Sequence, residues 1–148
     1  MIYCHKTMVN ASIIKVAQFH HNASNMSKIT PPPIVVRFQH APSPIYEGAE
    51  MDFKLWFGPF PLRWRARFEA VSPNGFIDRQ ISGPYKTWVH LHTFKDIGGD
   101  KTEIVDEIQA EFQTTLLWRL MGMLIWSGMP VLFAYRAWKT ERDLSALE

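Results

Sequence analysis

The sequence predicts an α+β fold in which one antiparallel sheet is covered by C-terminal helices. Residues 34–112 alternate between apolar and polar positions with a period of two, as strands with one buried face do. Gly- and Pro-rich breaks divide this stretch into consecutive strands. Residues 113–146 then form an apolar helical segment, which can cover the apolar face of the sheet. We expect the 148 residues to form a single domain, 1–148.

The composition excludes several classes of protein. Apolar residues make up 47% of the chain and charged residues 20%, a balance typical of globular proteins and not of disordered ones. The net charge of +2 comes without a run of Lys or Arg, so we expect no nucleic-acid partner. Cys4 is the single cysteine, and the N-terminus lacks the apolar core of a signal peptide. Both features predict a cytoplasmic protein.

The first 33 residues are predicted to contain one strand and two short helices. Residues 3–9 form the strand, and Asn10 is a candidate N-cap for an amphipathic helix that runs from Ile13 to Phe19. A second helical turn spans roughly residues 23–29. It ends before three consecutive prolines, because proline cannot continue a helix and restricts the residue that precedes it.

The first hairpin of the sheet is predicted from two neighbouring segments whose large apolar side chains fall on every second residue. A four-residue turn at Gly58–Pro61 would pair Leu55 with Trp64 and bring both apolar faces to the same side of the sheet. The same register places Asp52 opposite Arg67 as a surface ion pair. Further turn signals separate three more strands, at residues 76–82, 85–94 and 102–112.

The C-terminal segment allows more than one interpretation. Its uncharged run from Leu120 to Tyr135 has 16 residues and contains Pro130, whereas a membrane span needs about 20. We therefore predict two helices, broken near residues 128–130, the second of which ends at about Ala146 and lies across the sheet. Both are apolar nearly all round, which leaves two alternatives open: contact with a membrane surface through residues 116–133, and a homodimer in place of a monomer.

Several local stretches make the fold prediction more specific. They are FHHNASNMSKITPPP, EGAEMDFKLWFGPFPLRWRARFEA, FIDRQISGPYKTWVHLHTF, KTEIVDEIQAEF and FAYR. These stretches resemble the SRPBCC superfamily, which includes the START lipid-binding domains, the Bet v 1 proteins and polyketide cyclases. Within it, the chain is most similar to small bacterial single-domain proteins described as ligand-binding or cyclase/dehydrase-like. The resemblance extends from about Tyr3 to Trp138.

The resemblance implies a helix-grip fold, in which a curved antiparallel sheet wraps a long C-terminal helix and two short helices follow the first strand. It also implies an apolar cavity between sheet and helix that holds a lipid-, sterol- or polyketide-like molecule. Some members of the superfamily catalyse cyclisation, dehydration or hydrolysis with polar groups in that cavity. They share no catalytic motif, so the resemblance leaves open whether this chain is an enzyme.

One stretch supplies the candidate site: GPYKTWVHLHTF, residues 83–94. Its side chains Trp88, His90, His92 and Phe94 fall on every second residue and therefore share one face of a strand. The two aromatic side chains need burial, so we expect this face to line the cavity.

A carboxylate is predicted to lie near these imidazoles. Asp106 shares a strand face with two isoleucines, and the neighbouring strand should bring it near His90 or His92. The direction of Asp78 depends on the turn that follows it. A two-residue turn at Gly83–Pro84 points Asp78 away from the histidines, and a bulge there turns it towards them. We keep Asp78 among the pocket residues.

Three interpretations of this cluster remain open. In the first, His90 and His92 are hydrogen-bonded residues of the pocket wall. In the second, one of them moves a proton on a bound carbonyl compound and Asp106 orients it, as in a cyclase- or dehydratase-type lyase. In the third, the histidines and Asp106 bind zinc or iron, although nothing in the sequence fixes a complete ligand set. We rank the metal site last and expect no cofactor.

The leading prediction is a protein that binds a hydrophobic small molecule, with a cyclase- or dehydratase-type enzyme as the alternative. The enzyme interpretation assigns catalysis to His90, His92 and Asp106. The predicted ligand-binding residues are Phe53, Leu55, Trp64, Phe68, Asp78, Trp88, His90, His92, Phe94, Ile104, Asp106, Ile108 and Phe133.

Overall fold

The protein is described by a computed structural model that covers residues 1–146. Its elements follow the predicted order of strand, short helices, strands and C-terminal helices. They are β1 (Ile2–Val9), α1 (Ile13–His20), a 3₁₀ helix (Ala23–Ser27), β2 (Val35–His40), β3 (Glu50–Phe57), β4 (Phe60–Ser72), β5 (Gly75–Ser82), β6 (Tyr85–Gly98), β7 (Lys101–Phe112), α2 (Leu116–Ser127) and α3 (Met129–Ser145).

All seven strands form one antiparallel sheet in the order β1-β7-β6-β5-β4-β3-β2. Consecutive strands from β2 to β7 are neighbours, and β1 completes the sheet beside β7. The segment containing α1 and the 3₁₀ helix carries the chain from β1 at one edge to β2 at the other. The alternation of each strand therefore directs one set of side chains towards α3 and the other towards solvent.

The predicted N-cap of the first helix is wrong by two residues. α1 begins at Ile13, and its N-cap is Ser12, whose hydroxyl oxygen accepts a hydrogen bond from the Lys15 backbone N–H at 3.5 Å. Asn10 instead donates its backbone and side-chain N–H groups to the carboxylate of Glu141 at 2.9 and 2.7 Å. This contact ties the end of β1 to α3.

The β3–β4 hairpin has a shorter turn than predicted. Only Gly58 and Pro59 lie between the paired residues Phe57 and Phe60, and Gly58 adopts a φ of 61°, which glycine accepts without strain. The predicted pairing of Leu55 with Trp64 is therefore wrong, because Trp64 lies opposite Phe53 and Leu62 lies opposite Leu55. A shift of two residues leaves every side chain on its predicted face.

The new register also changes the surface ion pairs. Asp52 binds Arg63 at 2.7 Å instead of the predicted Arg67. Arg67 pairs with Glu50 at 2.9 Å, and Arg65 reaches the same carboxylate at 3.0 Å. These pairs lie on the solvent face of the sheet, as predicted for the arginines of this strand.

The β5–β6 pairing decides the direction of Asp78. Asp78 lies opposite His90, and Arg79 lies opposite Val89. A two-residue turn at Gly83–Pro84 would pair Ser82 with Tyr85 and displace this register by one residue, so the structure contradicts that turn. Asp78 consequently points to the same face as the histidines, the outcome that a bulge near Gly83 predicts.

The C-terminal segment forms two helices that meet at Gly128, as predicted, with an angle of 45° between them. α3 buries Met129, Phe133, Thr140 and Leu144. Within residues 1–146, neither helix alone is long and apolar enough to cross a membrane, but the bent pair satisfies both criteria together. The large apolar side chains that α2 leaves exposed are Leu116, Leu117, Trp118, Leu120, Met123 and Leu124.

Candidate functional site

A cavity of about 600 Å³ lies between the sheet and the helices. Its wall is predominantly apolar and is formed by β3 to β6 on one side and by α1, α2 and α3 on the other. Phe60 and Leu124 contribute to this wall although they are 71% and 70% exposed, so the cavity reaches the surface between the β3–β4 hairpin and α2. The predicted ligand-binding residues in its wall are Phe53, Leu55, Trp64, Phe68, Asp78, Trp88, His90, His92 and Phe133.

Four predicted ligand-binding residues, Phe94, Ile104, Asp106 and Ile108, do not line this cavity. Phe94 is buried against His20, with ring centroids 5.1 Å apart, and Ile108 is fully buried in the core. Ile104 and Asp106 line a separate space of about 30 Å³ beneath α3. All four lie on the predicted face, but α1 and α3 cover that end of the sheet.

Two histidines and two aspartates meet at the wall of the cavity, which all of them except Asp106 line. Sheet register places Asp78 opposite His90, and Asp106 opposite His92. The two imidazole rings lie side by side with centroids 3.7 Å apart. One carboxylate therefore flanks the ring pair on each side, from β5 and from β7. We call these four residues the His–Asp cluster.

Each hydrogen bond in the His–Asp cluster joins a histidine to the aspartate that does not lie opposite it in the sheet. His90 Nε2 lies 2.9 Å from Asp106 Oδ1, and His92 Nε2 lies 2.9 Å from Asp78 Oδ2. An ionised carboxylate only accepts, so each Nε2–H donates. The other two nitrogens also lie close to the carboxylates, at 3.3 Å for His90 Nδ1 to Asp78 and 3.0 Å for His92 Nδ1 to Asp106. His92 Nδ1 lacks hydrogen-bond geometry, so the latter contact is electrostatic.

The electrostatics of the His–Asp cluster favour its charged form. Burial alone would lower the pKa of His92, but the adjacent carboxylates of Asp106 and Asp78 raise it to about 9. Burial would raise the pKa of Asp78 and of Asp106, yet the two imidazoles hold both values below the usual range. At neutral pH the cluster therefore contains two carboxylates and an imidazolium at His92.

His20 is a third histidine in this region, and the sequence analysis did not assign it to the site. It lies in the last turn of α1 and lines the cavity, with its ring 6.5 Å from that of His92. Its Nδ1–H donates to the Val16 carbonyl at 2.9 Å, and burial lowers its pKa to about 4. His20 is therefore neutral beside the charged cluster. A histidine after a short amphipathic helix gives no sequence signal for this position.

Arg136 is another polar cavity residue that the sequence analysis did not assign to the site. It lies on α3 and lines both the large cavity and the small space beside Asp106. Its guanidinium carbon is 5.2 Å from the centre of the Phe133 ring. Burial lowers its pKa, while the charges of Asp106 and Asp78 oppose that shift. One sequence signal was present, because Arg136 follows the predicted cavity residue Phe133 by three positions and so shares its helix face.

The sequence matches no protein-family model and no curated protein. Solved structures do match it. Norcoclaurine synthase from Thalictrum flavum, in complex with dopamine and hydroxybenzaldehyde, has 13% identity and a TM-score of 0.71, covering 100% of this chain and 88% of that one. The Zhui aromatase/cyclase from Streptomyces sp. R1128 has 14% identity and a TM-score of 0.68, covering 99% and 97%. Protein Ms6760 from Mycobacterium smegmatis has 13% identity and a TM-score of 0.71, covering 99% and 92%.

The chain has a helix-grip fold, as these structures do. The predicted fold class is thereby confirmed, and the resemblance to the SRPBCC superfamily holds at the level of the fold. Identities this low show a shared fold and leave ligand and reaction undetermined.

Within this fold, the His–Asp cluster can support more than one kind of chemistry. Asp78, His90 and His92 each offer one ligand atom, and these atoms lie within 4.8 Å of one another. Such nitrogen and oxygen ligands suit zinc or iron. This set contains Asp78 in place of the Asp106 that the sequence suggested. The same groups can also move a proton, because Asp78, His90 and His92 face the cavity.

Proposed function

We propose that this protein binds a hydrophobic small molecule, lipid-, sterol- or polyketide-like, in the cavity between the sheet and the C-terminal helices. The observation that carries the proposal is the cavity itself. Its volume of about 600 Å³ falls within the range of roughly 300 to 1,000 Å³ that is typical of ligand pockets. Its predominantly apolar wall matches a ligand with an apolar body.

The free energy of an empty cavity supports the same proposal. At roughly 24 cal/mol per Å³, a dry cavity of this size would cost more than 10 kcal/mol, comparable to the whole stability of a domain. An apolar wall offers few hydrogen bonds to water. A bound organic molecule offsets this unfavourable free energy, because its apolar surface replaces the missing packing contacts.

The shape of the wall favours ligands with flat rings or extended chains. Trp64 packs edge-on against Trp88, with ring centroids 5.2 Å apart, and stacks on Phe53 at 6.1 Å. These three rings form one continuous aromatic surface. The tryptophans also make binding observable through their fluorescence.

The test is native mass spectrometry of the protein purified from its own host, followed by denaturing extraction. We expect a stoichiometric hydrophobic compound in the extract. The matched variant is Ala66→Phe, which places a large ring in the cavity wall, because Ala66 lines the cavity and is 1% exposed. This variant should lose the compound. A clean apo mass for the natural protein would argue against a tightly retained ligand.

A second candidate function is catalysis of the cyclase or dehydratase type. The His–Asp cluster favours it, since three of its four members line the cavity and one imidazole is charged at neutral pH. In this alternative His90 or His92 carries a proton to the ligand, and Asp106 orients the imidazole. Replacing His90 and His92 with Gln should abolish turnover and retain ligand affinity. Equal loss of both would indicate a binding or folding role.

A third alternative concerns the partners of α2. Its exposed side chains, among them Leu116, Leu117 and Leu124, favour a membrane surface or a second copy of the chain as partner. Analytical ultracentrifugation without detergent tests both possibilities, and a monomer that stays in solution would remove this alternative. We also propose a cytoplasmic location, which the single cysteine favours. The proposed ligand-binding role involves no nucleic acid.

A further inference from the structure

Arg136 is a half-buried cation in the cavity wall, and its Nε is fully buried. It lines the cavity wall from α3, one turn after Phe133, and packs its guanidinium against that ring at 5.2 Å. The remaining edge of a guanidinium offers N–H donors in a planar fork. A buried charge of this kind is costly unless it is paired and hydrogen-bonded. Arg136 therefore needs an anionic partner in this position.

Residues 1–146 provide no close anionic partner for Arg136. No carboxylate among them lies within 4.0 Å of its guanidinium, and its Nε is buried without a hydrogen-bond acceptor. The arginines of the solvent face differ, because Arg63, Arg65 and Arg79 all bind carboxylates at 2.7 to 3.0 Å. Arg136 thus lacks the carboxylate partner that these three arginines have.

The two nearest aspartates do not fill this role. Asp78 and Asp106 are both hydrogen-bonded to histidines within the His–Asp cluster. They act on Arg136 through charge at a distance, without a hydrogen bond to it. The short-range partner of Arg136 must therefore come from a molecule that enters the cavity.

We infer that the ligand is an amphipathic organic acid, and that Arg136 binds its carboxylate while the apolar wall holds its body. This inference rests on the proposed binding of a hydrophobic molecule in the same cavity. A carboxylate accepts two parallel hydrogen bonds from a guanidinium fork. A phosphate monoester carries a charge of about −1.5 to −2 and would bring more negative charge beside Asp78 and Asp106 than a carboxylate does.

The test uses two matched pairs of probes in isothermal titration calorimetry: decanoic acid with decan-1-ol, and 2-naphthylacetic acid with 2-naphthylethanol. We expect the natural protein to bind each acid at least about tenfold more tightly than the corresponding alcohol, the order of effect expected for a charge-assisted hydrogen-bond pair. Arg136→Gln should remove this preference and leave alcohol affinity within about twofold. Arg136→Lys should retain part of it, since lysine keeps the charge and loses the fork.

Arg142→Gln is the matched control. Arg142 lies on the same helix and packs over the Trp138 ring at 5.5 Å, but it is exposed and outside the cavity wall. This variant should keep the full preference for acids. Equal binding of acid and alcohol by the natural protein would overturn the inference and leave the proposed binding function standing. Failure of all four probes to bind would overturn both.

Discussion

His92 Nε2 lies 2.9 Å from Asp78 Oδ2, and this contact joins two adjacent strands within the wall of a large apolar cavity. Together with Asp106, Asp78 raises the pKa of His92 to about 9 although burial acts in the opposite direction. We therefore expect Asp78→Asn to lower the pKa of His92 substantially, which NMR titration of the imidazole resonances would measure. Asp96→Asn, on the exposed end of β6, is the control. An unchanged His92 pKa in Asp78→Asn would show that Asp78 does not hold this charge.

The raised pKa of His92 also predicts how stability depends on pH. A group whose folded pKa exceeds its unfolded value contributes full stability below the unfolded pKa, here 6.5, and loses it as pH rises through the folded pKa of about 9. The free energy of unfolding should thus fall by on the order of 3 kcal/mol between pH 6.5 and 9.5. Urea unfolding at a series of pH values measures it.

His92→Gln provides the comparison for this pH dependence. Asp78 and Asp106 have pKa values below the usual range and His20 has one of about 4, so none of them changes protonation between pH 6.5 and 9.5. The variant should therefore show a much flatter profile in that range. An equally steep profile in both proteins would assign the dependence to other groups.

The sequence predicted strand faces well and strand registers poorly. Phe53, Trp64 and Trp88 line the cavity because the period-two alternation assigns a face to each residue without knowledge of its partner. The β3–β4 register was wrong by two residues, an error that moves no side chain to the other face. Asp78 could not be assigned because a one-residue difference near Gly83 reverses its direction.

The remaining features of the site depend on how helices pack against the sheet. Arg136 and His20 enter the cavity wall because α3 and α1 dock in particular orientations, which hydrophobic periodicity alone does not specify. Phe94 and Ile108 were assigned to the correct face, yet both are buried and neither lines the cavity. Sequence patterns therefore identified the face of the sheet that bears the site. They did not predict which residues of that face line the cavity and which are covered by other parts of the chain.

Phe133 connects the C-terminal helix to this site, and its removal should destabilise the protein. Its ring is 2% exposed and lies 5.3 Å from Tyr3 and 5.8 Å from His90 between centroids. We expect Phe133→Ala to lower the free energy of unfolding by about 3 to 5 kcal/mol, because it leaves a larger cavity. Val131→Ala on the same helix is the control. Val131 is 70% exposed, so its loss should change stability by less than about 0.5 kcal/mol.

Gly75 holds the β5 strand against the backbone of His92. It has a φ of 143°, and a Cβ atom added there would lie 2.0 Å from the His92 carbonyl oxygen. Backbone atoms cannot yield as a flexible side chain does, so Gly75→Ala should separate β5 from β6 and disturb the His–Asp cluster. We expect a loss of more than about 2 kcal/mol in the free energy of unfolding, together with a changed His92 pKa.

Gly48→Ala separates the steric effect from the conformational one. Gly48 also has a positive φ, 81°, but an added Cβ would meet no atom within 4 Å. This variant should cost only the roughly 1 to 2 kcal/mol of an alanine in the left-handed region and leave the His92 pKa unchanged. Chemical denaturation and imidazole titration of both variants provide the measurement. If Gly75→Ala were no more harmful than Gly48→Ala and left His92 unperturbed, the close approach of β5 to β6 would not determine the geometry of the cluster.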